Sequence, residues 1–342
     1  MVSKIKVLLM IAVVAVSGGA IYLSQVRESQ LANAKESKDE IIIPLNNNSE
    51  DGLGIKKYQD TTIFPNAIAI SNEDLYVSDP VNERIVEMNK EGNISKIFKI
   101  KNSSALDIAA NNDGALYLAD YKNNMVQIYD TKNKSLKSVG DFNLPHMVKV
   151  INEKYYIVDF KPGTFDLRIQ CFDKNNKKIY EKTQSFFDIN LFKVWNEKNT
   201  EIEITTDKPS KDDLAGEYQI INKQANKKYS YIPNLPPSGS FRDLSVLSFS
   251  NNKLLILRKI GPKFDSKLSI DDIQNSMELF LDSIDVSNGQ VETTALKKDL
   301  TLLGTGLANG NRFVINQKGE LYQSQISQDK VSISKYNLSG GD

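Results

Sequence analysis

The chain has 342 residues, and its 43 lysines and arginines balance 43 aspartates and glutamates, so its formal net charge is zero. Without a net positive field, the composition argues against a nucleic-acid partner. The single cysteine, Cys171, excludes an intramolecular disulfide framework, and the single histidine, His146, excludes a site with several histidine ligands.

The first segment of the chain has the composition of an export element. Lys4 and Lys6 precede an apolar run from Val7 to Leu23, which is at the short limit of what crosses a bilayer as a helix. We predict an N-terminal apolar helix in residues 1–23. The residues leave open whether it is a cleaved signal peptide or a retained membrane anchor. In both cases the folded part is expected on the extracytoplasmic side, either membrane-anchored or secreted.

Residues 24–54 have the composition of a polar linker. Charged residues fill the first half, and Pro44 and an asparagine-rich stretch ending in Gly52 and Gly54 fill the second. Such a sequence offers little apolar surface for a core. We therefore predict a tether, with the folded domain spanning residues 55–342.

Aspartates recur at the ends of apolar strands in the next part of the chain. Each has a tyrosine three positions before it, which gives the pairs Tyr76 and Asp79, Tyr117 and Asp120, and Tyr156 and Asp159. The spacing is about 40 residues, which is typical of the blades of a β-propeller. Because the aspartates recur from blade to blade, we predict that they bind turn backbone rather than a ligand.

Fainter copies of the repeat follow and extend to the C-terminus. The last, at 316–325, aligns in register with residues 111–120. The C-terminal end supplies three strands for this blade, and the segment 55–62 is predicted to supply the fourth. The sequence thus predicts an all-β, monomeric, six-bladed β-propeller of four-stranded antiparallel blades, with its ring closed by strands from both termini.

One stretch carries a resemblance to a known family. The pattern Pro-x-x-Ile-Ala, Leu-Tyr-Val-x-Asp, Asn-x-Arg-Ile and Gly within residues 65–92 resembles an NHL repeat. The resemblance implies a six-bladed propeller, in a superfamily of interaction platforms with a few enzymes, among them a peptide-amidating lyase and lactonases. The lyase's metal site uses several histidines. This chain has one, which argues against transferring the lyase activity.

The turns between second and third strands lengthen from blade to blade. They are short in the first two blades, longer at 160–166 and 207–217, and longest at 259–276. Blade topology places all of them on one face. Long loops on a rigid scaffold are common binding sites, so we expect the ligand on this face.

Polar residues are predicted beneath those loops, at the mouth of the channel. Asp107, His146 and Arg312 stand at matching positions where first strands begin, with Asn66 and Arg242 close by. An acid, an imidazole and a guanidinium near one axis can bind an anionic or polar ligand or carry out acid–base chemistry. We predict these five residues as ligand-binding, and none as catalytic or metal-ligating. A structural role for His146 stays open.

Two functions are consistent with the sequence. The favoured one is a membrane-tethered, extracytoplasmic scaffold that binds a protein, peptide or glycan and is not an enzyme. The runner-up is an extracytoplasmic, metal-dependent, lactonase-like hydrolase or lyase with its site at the channel mouth. No cofactor is predicted for the first function, whereas the second requires a divalent ion in the channel.

Overall fold

The computed structural model of the chain describes most of the predicted propeller. The described residues are 40–46, 51–57, 62–63, 65, 67–89, 91–100, 102–151, 153–164, 166–184, 202–206, 217–223, 225–235, 240–250, 252–263, 276–296, 312–316, 318–326 and 329–338. The predicted N-terminal helix, residues 1–23, lies outside them. Among the residues described, no helix is long and apolar enough to cross a membrane.

The described part of the chain consists of strands and turns, without helix. In chain order the strands are β1 (Ile41–Pro44), β2 (Lys56–Lys57), β3 (Thr62–Ile63), β4 (Ile68–Ser71), β5 (Asp74–Asp79), β6 (Arg84–Met88), β7 (Ile94–Lys99), β8 (Ala105–Ala110), β9 (Ala115–Asp120), β10 (Met125–Asp130), β11 (Ser135–Val139), β12 (Met147–Ile151), β13 (Lys154–Phe160), β14 (Leu167–Phe172), β15 (Lys178–Gln184), β16 (Ile202–Thr206), β17 (Tyr218–Asn222), β18 (Lys227–Tyr231), β19 (Ser240–Ser250), β20 (Lys253–Lys263), β21 (Glu278–Asp285), β22 (Val291–Leu296), β23 (Phe313–Ile315), β24 (Glu320–Ile326) and β25 (Lys330–Asn337).

The described residues fall into two compact units. The larger unit, within 35–189 and 307–342, contains four four-stranded sheets. We call β4–β7 sheet 1, β8–β11 sheet 2, β12–β15 sheet 3, and β23–β25 with β1 the terminal sheet. The smaller unit, within 190–306, contains the three-stranded sheet β16–β18 and the four-stranded sheet β19–β22.

The blade pattern predicted from the sequence is confirmed, and the predicted number is not. All these sheets are antiparallel, and five of them have four strands, where the sequence predicts six. The predicted fourth blade is the exception, because its described strands number three. Residues 185–201, which precede it, lie outside the described part.

The larger unit has the packing of a β-propeller. The first strands of consecutive sheets are neighbours: β23 contacts β4, β4 contacts β8, and β8 contacts β12. Apolar side chains fill the spaces between sheet faces, so that one cluster joins sheets 1 and 2 through Tyr76 and Leu118, and the next joins sheets 2 and 3 through Tyr117 and Tyr155. Sheets packed face to face with adjacent first strands define the propeller architecture.

The sheet that joins the two ends of the chain differs from its prediction in one strand. As predicted, it combines N-terminal and C-terminal segments, but the N-terminal strand is β1, within the predicted linker, and not 55–62. Ile41 pairs with Ile333 and Pro44 with Lys330. The prediction of 55–62 was wrong because β1 is a short apolar strand inside polar sequence, whereas β2 and β3 form a two-stranded sheet of their own among the described strands.

The residues after β1 are also part of the folded unit. Leu53 is fully buried, and its backbone N–H donates to the Pro44 carbonyl at 2.9 Å. The next N–H, of Gly54, donates to the Asp79 carboxylate of sheet 1 at 3.0 Å. The second half of the predicted linker therefore fastens the terminal sheet to sheet 1.

The larger unit has two distinct ends. At the end we call the hairpin end, the first-to-second and third-to-fourth strand turns meet, as when Thr131 N–H donates to the Gly114 carbonyl at 3.1 Å. At the opposite end, the loop end, lie the second-to-third strand turns and the connections between sheets. There Asn123 donates to the Asn102 carbonyl at 2.7 Å.

Candidate functional site

The structure describes three of the five predicted site residues with their side chains. Asp107, His146 and Arg312 are all buried, at 1%, 5% and 3% exposure. Asn66 lies outside the described residues. Arg242 pairs with Ile260 in the smaller unit, and its side chain lies outside the described part.

Asp107 connects two neighbouring first strands. A register shift in β8 between Ala105 and Asp107 places its carboxylate beside backbone donors. The carboxylate accepts from the N–H of Ile108 at 3.0 Å and from the N–H of Val148, at the start of β12, at 2.8 Å. Both oxygens of the buried carboxylate are thus hydrogen-bonded, and the bond to Val148 joins sheet 2 to sheet 3.

His146 stands immediately before β12 and is held by its own surroundings. Its backbone N–H donates to the Val158 carbonyl at 3.1 Å, and its imidazole ring lies against the Phe160 ring, with centroids 5.2 Å apart. Imidazole Nδ1 is 3.2 Å from the Leu144 carbonyl oxygen. Since a carbonyl only accepts, Nδ1 carries the proton and donates.

Burial lowers the pKa of His146 from 6.5, against the opposing effects of the Leu144 carbonyl and the charge of Asp159. The unfolded chain therefore binds more protons than the folded chain as pH falls below about 6.5. We expect acidification through this window to reduce the free energy of unfolding, by at most about 1.4 kcal/mol per pH unit. Denaturant titrations of the wild type and His146→Gln, at neutral and acidic pH, measure this contribution. An equal pH slope in both proteins would contradict it.

Arg312 lies directly before β23. Its backbone carbonyl accepts from the Ser324 N–H at 2.9 Å, which begins the pairing with β24. Asp107 lies in β8 and His146 directly precedes the neighbouring first strand β12, whereas Arg312 precedes β23, which adjoins β4. The three predicted residues thus lie in or directly before first strands, and Asp107 and His146 take part in sheet packing.

The recurrent aspartates have the structural role predicted for them. Asp79, Asp120 and Asp159 are completely buried. Each accepts hydrogen bonds from the loop end of its own sheet: Asp79 from Asn82 Nδ2 at 2.8 Å and Arg84 Nε at 2.8 Å, Asp120 from Asn123 Nδ2 at 2.8 Å and Gln127 Nε2 at 2.6 Å, and Asp159 from Asn143 N–H at 2.8 Å and Arg168 Nε at 2.9 Å. These bonds fix the turns that carry the exposed residues of this end.

A second recurrent feature was missed from the sequence. The turns between third and fourth strands begin with an Asp or Asn whose side chain accepts from backbone N–H groups two to four residues later, as at Asn89, Asp130, Asp173 and Asp285. This bond is the mechanism of an Asx turn. The signal was present, since Asn89, Asp130 and Asp173 stand at equivalent positions of the repeat.

The loop end presents exposed residues on these fixed turns. In the turn after β13, residues 161–164 are exposed, while Lys161 N–H donates to the Asp166 carbonyl at 2.8 Å. In the turn after β9, residues 122–124 are exposed. The two longest predicted loops lie largely outside the described part, at 207–216 and 264–275.

Within the described ranges, no group of three or more His, Cys, Asp or Glu side chains could hold a metal ion.

Comparisons with known proteins give a fold-level likeness alone. No family model matches the chain, and no curated protein sequence matches it. Among solved structures, a DUF4221 family member from Bacteroides vulgatus matches with a TM-score of 0.49 and 8% identity, over 89% of this chain and 98% of that one. Kuenenia stuttgartiensis hydrazine synthase matches with a TM-score of 0.42 and 13% identity, over 80% and 76%. A chain of a mitotic checkpoint complex matches with a TM-score of 0.45 and 10% identity, over 94% and 98%.

The strand order therefore carries the fold assignment, and the chain is a β-propeller protein. Nothing in the strand order or the likenesses distinguishes an NHL repeat from other propeller repeats.

Proposed function

We propose that the chain is an extracytoplasmic, membrane-tethered scaffold that binds a protein partner through the loop end of its propeller. The observation that carries this proposal is the use of Asp107 and His146 in packing. Asp107 binds the Val148 N–H, and His146 lies against Phe160, so these groups stabilise the inner strands. We therefore assign recognition of the protein partner to the exposed turns of the loop end.

The loop end has the properties of a preorganised binding surface. Buried carboxylates of Asp120 and Asp159 hold the bases of two turns, which project exposed residues 122–124 and 161–164. Rigid support lowers the entropy lost when a loop binds a partner.

Site-specific photo-crosslinking of the full chain in its own cells tests this proposal. A photoreactive side chain in place of Lys161 or Lys122, both exposed at the loop end, should form a protein adduct of discrete mass. The matched control is Lys137, which is exposed on the outer strand β11 and should form none. Adducts from Lys137 alone would contradict the proposal, and a bound divalent ion in the purified chain would favour the lactonase-like alternative.

A further inference from the structure

The chain reaches β1 at the hairpin end of the larger unit. Gly92, in the turn between β6 and β7, lies so close to Ile41 that an added Cβ would be 2.8 Å from Ile41 Cγ2. At the other end of β1, Leu45 N–H donates to the carbonyl of Asp329, which lies before β25 at the loop end. β1 therefore runs from the hairpin end to the loop end, and residue 40, directly before it, lies towards the hairpin end.

The same end carries exposed lysines on two neighbouring sheets. Lys132 and Lys134 lie in the turn between β10 and β11, and Lys174 and Lys177 in the turn between β14 and β15. We call these four residues the lysine surface. All four are exposed, and Lys174 is 3.3 Å from a carboxylate oxygen of Glu153.

The carboxylates within these turns face the backbone. Asp130 accepts from the N–H groups of Lys132 and Asn133 at 2.9 and 3.0 Å, and Asp173 accepts from those of Asn175 and Lys177, both at 2.9 Å. Asp113 and Glu153 are exposed in the first-to-second strand turns of the same two sheets, and Glu153 pairs with Lys174. Since a lysine side chain is longer than an aspartate side chain, the ammonium groups can reach beyond the bound carboxylates of these two turns.

We propose that the lysine surface contacts the anionic lipid headgroups of the membrane to which the chain is tethered, so that the loop end points away from the bilayer. This inference rests on the proposed membrane tether. Residues 24–40 span at most about 60 Å when extended, which keeps the hairpin end near the bilayer. Lysines close to an anionic leaflet each favour contact about fivefold at moderate ionic strength.

Fluorescence quenching in vesicles measures which end of the unit meets the lipid. The full chain carries a fluorophore at Asn175→Cys or at Lys161→Cys, which lie at opposite ends of sheet 3, while Cys171 is buried at 1% exposure and protected from labelling. The vesicles contain headgroup-quencher lipid in phosphatidylcholine, with or without phosphatidylglycerol. We expect quenching of the Asn175 probe with phosphatidylglycerol, and little quenching of the Lys161 probe.

A matched pair of double variants tests the lysines. Lys132→Gln with Lys134→Gln should lower the ratio of docked to undocked protein about 25-fold with the Asn175 probe. Lys122→Gln with Lys161→Gln removes the same charge at the loop end and should leave the ratio unchanged. Equal quenching at both probe positions, or an equal loss of docked protein in both double variants, would overturn the proposed contact between the lysine surface and lipid.

Flotation separates this inference from the proposed tether. A full chain that floats with phosphatidylcholine vesicles alone has the tether. If it does not float, the tether fails, and the lysine surface is then measured by flotation with phosphatidylglycerol. Under those conditions, flotation lost in the Lys132 and Lys134 variant supports the lysine surface, and unchanged flotation overturns it.

Discussion

Replacing Arg258 with alanine should lower the free energy of unfolding by about 3–5 kcal/mol, the range for removing one partner from a buried ion pair. Arg258 and Asp282 are buried at 4% and 2% exposure in the smaller unit. Arg258 Nε is 2.5 Å from Asp282 Oδ2, and Nη2 is 3.0 Å from Oδ1. Removal of the guanidinium leaves a buried carboxylate without its countercharge, and chemical denaturation measures the loss.

The surroundings of this pair make the loss large. Tyr231 Oη donates to Asp282 at 2.6 Å and Thr293 Oγ1 at 2.7 Å, so the carboxylate is held in place after the arginine is removed. Burial, followed by the charge of Asp282, raises the pKa of Tyr231, which keeps its hydroxyl protonated as a donor. The guanidinium also lies 4.8 Å from the centre of the Phe280 ring.

Replacing both charges together is the control. Arg258→Met with Asp282→Leu removes the charges without leaving one of them buried alone, and should be more stable than Arg258→Ala. Lys253→Ala, a half-buried residue on the same strand, should change stability by less than about 0.5 kcal/mol. If Arg258→Ala unfolds like the Lys253 variant, the ion pair contributes little.

The repeat explains why this pair was hard to predict. Arg258 occupies the position that Asp79, Asp120 and Asp159 occupy in the clear repeats, and the negative charge stands on the next strand at Asp282. Arg258 pairs with Phe280, so Phe280 holds the position of Arg84 and Arg168, and Asp282 stands two residues further along β21. A search for the aspartate alone therefore detects only a weak repeat here.

The fold was predictable where one period repeats in sequence. The strands ending at Asp79, Asp120 and Phe160 follow the predicted repeat, because buried aspartates and runs of buried apolar residues mark them. The strand that completes the terminal sheet was not predictable in the same way. Its position depends on long-range pairing with β25, and a four-residue strand gives little periodicity.

The positions of two predicted site residues followed from the register, and their ligand-binding role stays a prediction. Register placed Asp107 and His146 at the starts of inner strands, where the structure has them. Sequence register does not reveal hydrogen-bond partners, and both side chains contribute to packing, Asp107 to Val148 and His146 to Phe160. The exposed loop-end turns follow from the same repeat, since buried aspartates form their bases.

Replacing Ile43 with alanine should destabilise the protein by about 2–5 kcal/mol, because it removes a buried side chain from the strand that completes the terminal sheet. Ile43 is 2% exposed and belongs to the cluster that joins this sheet to sheet 1, together with Val77 and Ile333. The neighbouring residue, Ile42, is 53% exposed on the opposite face of the same strand.

Ile42→Ala is therefore the matched control for the Ile43 experiment, with the same chemical change one residue away. It should alter stability by less than about 0.5 kcal/mol, since strand side chains alternate between the core and solvent. Thermal melting and denaturant titration of both variants measure the difference. Equal stability of the two variants would show that β1 does not pack against the core. A large difference in the expected direction ties the stability of the larger unit to a strand in the segment whose composition predicts a linker.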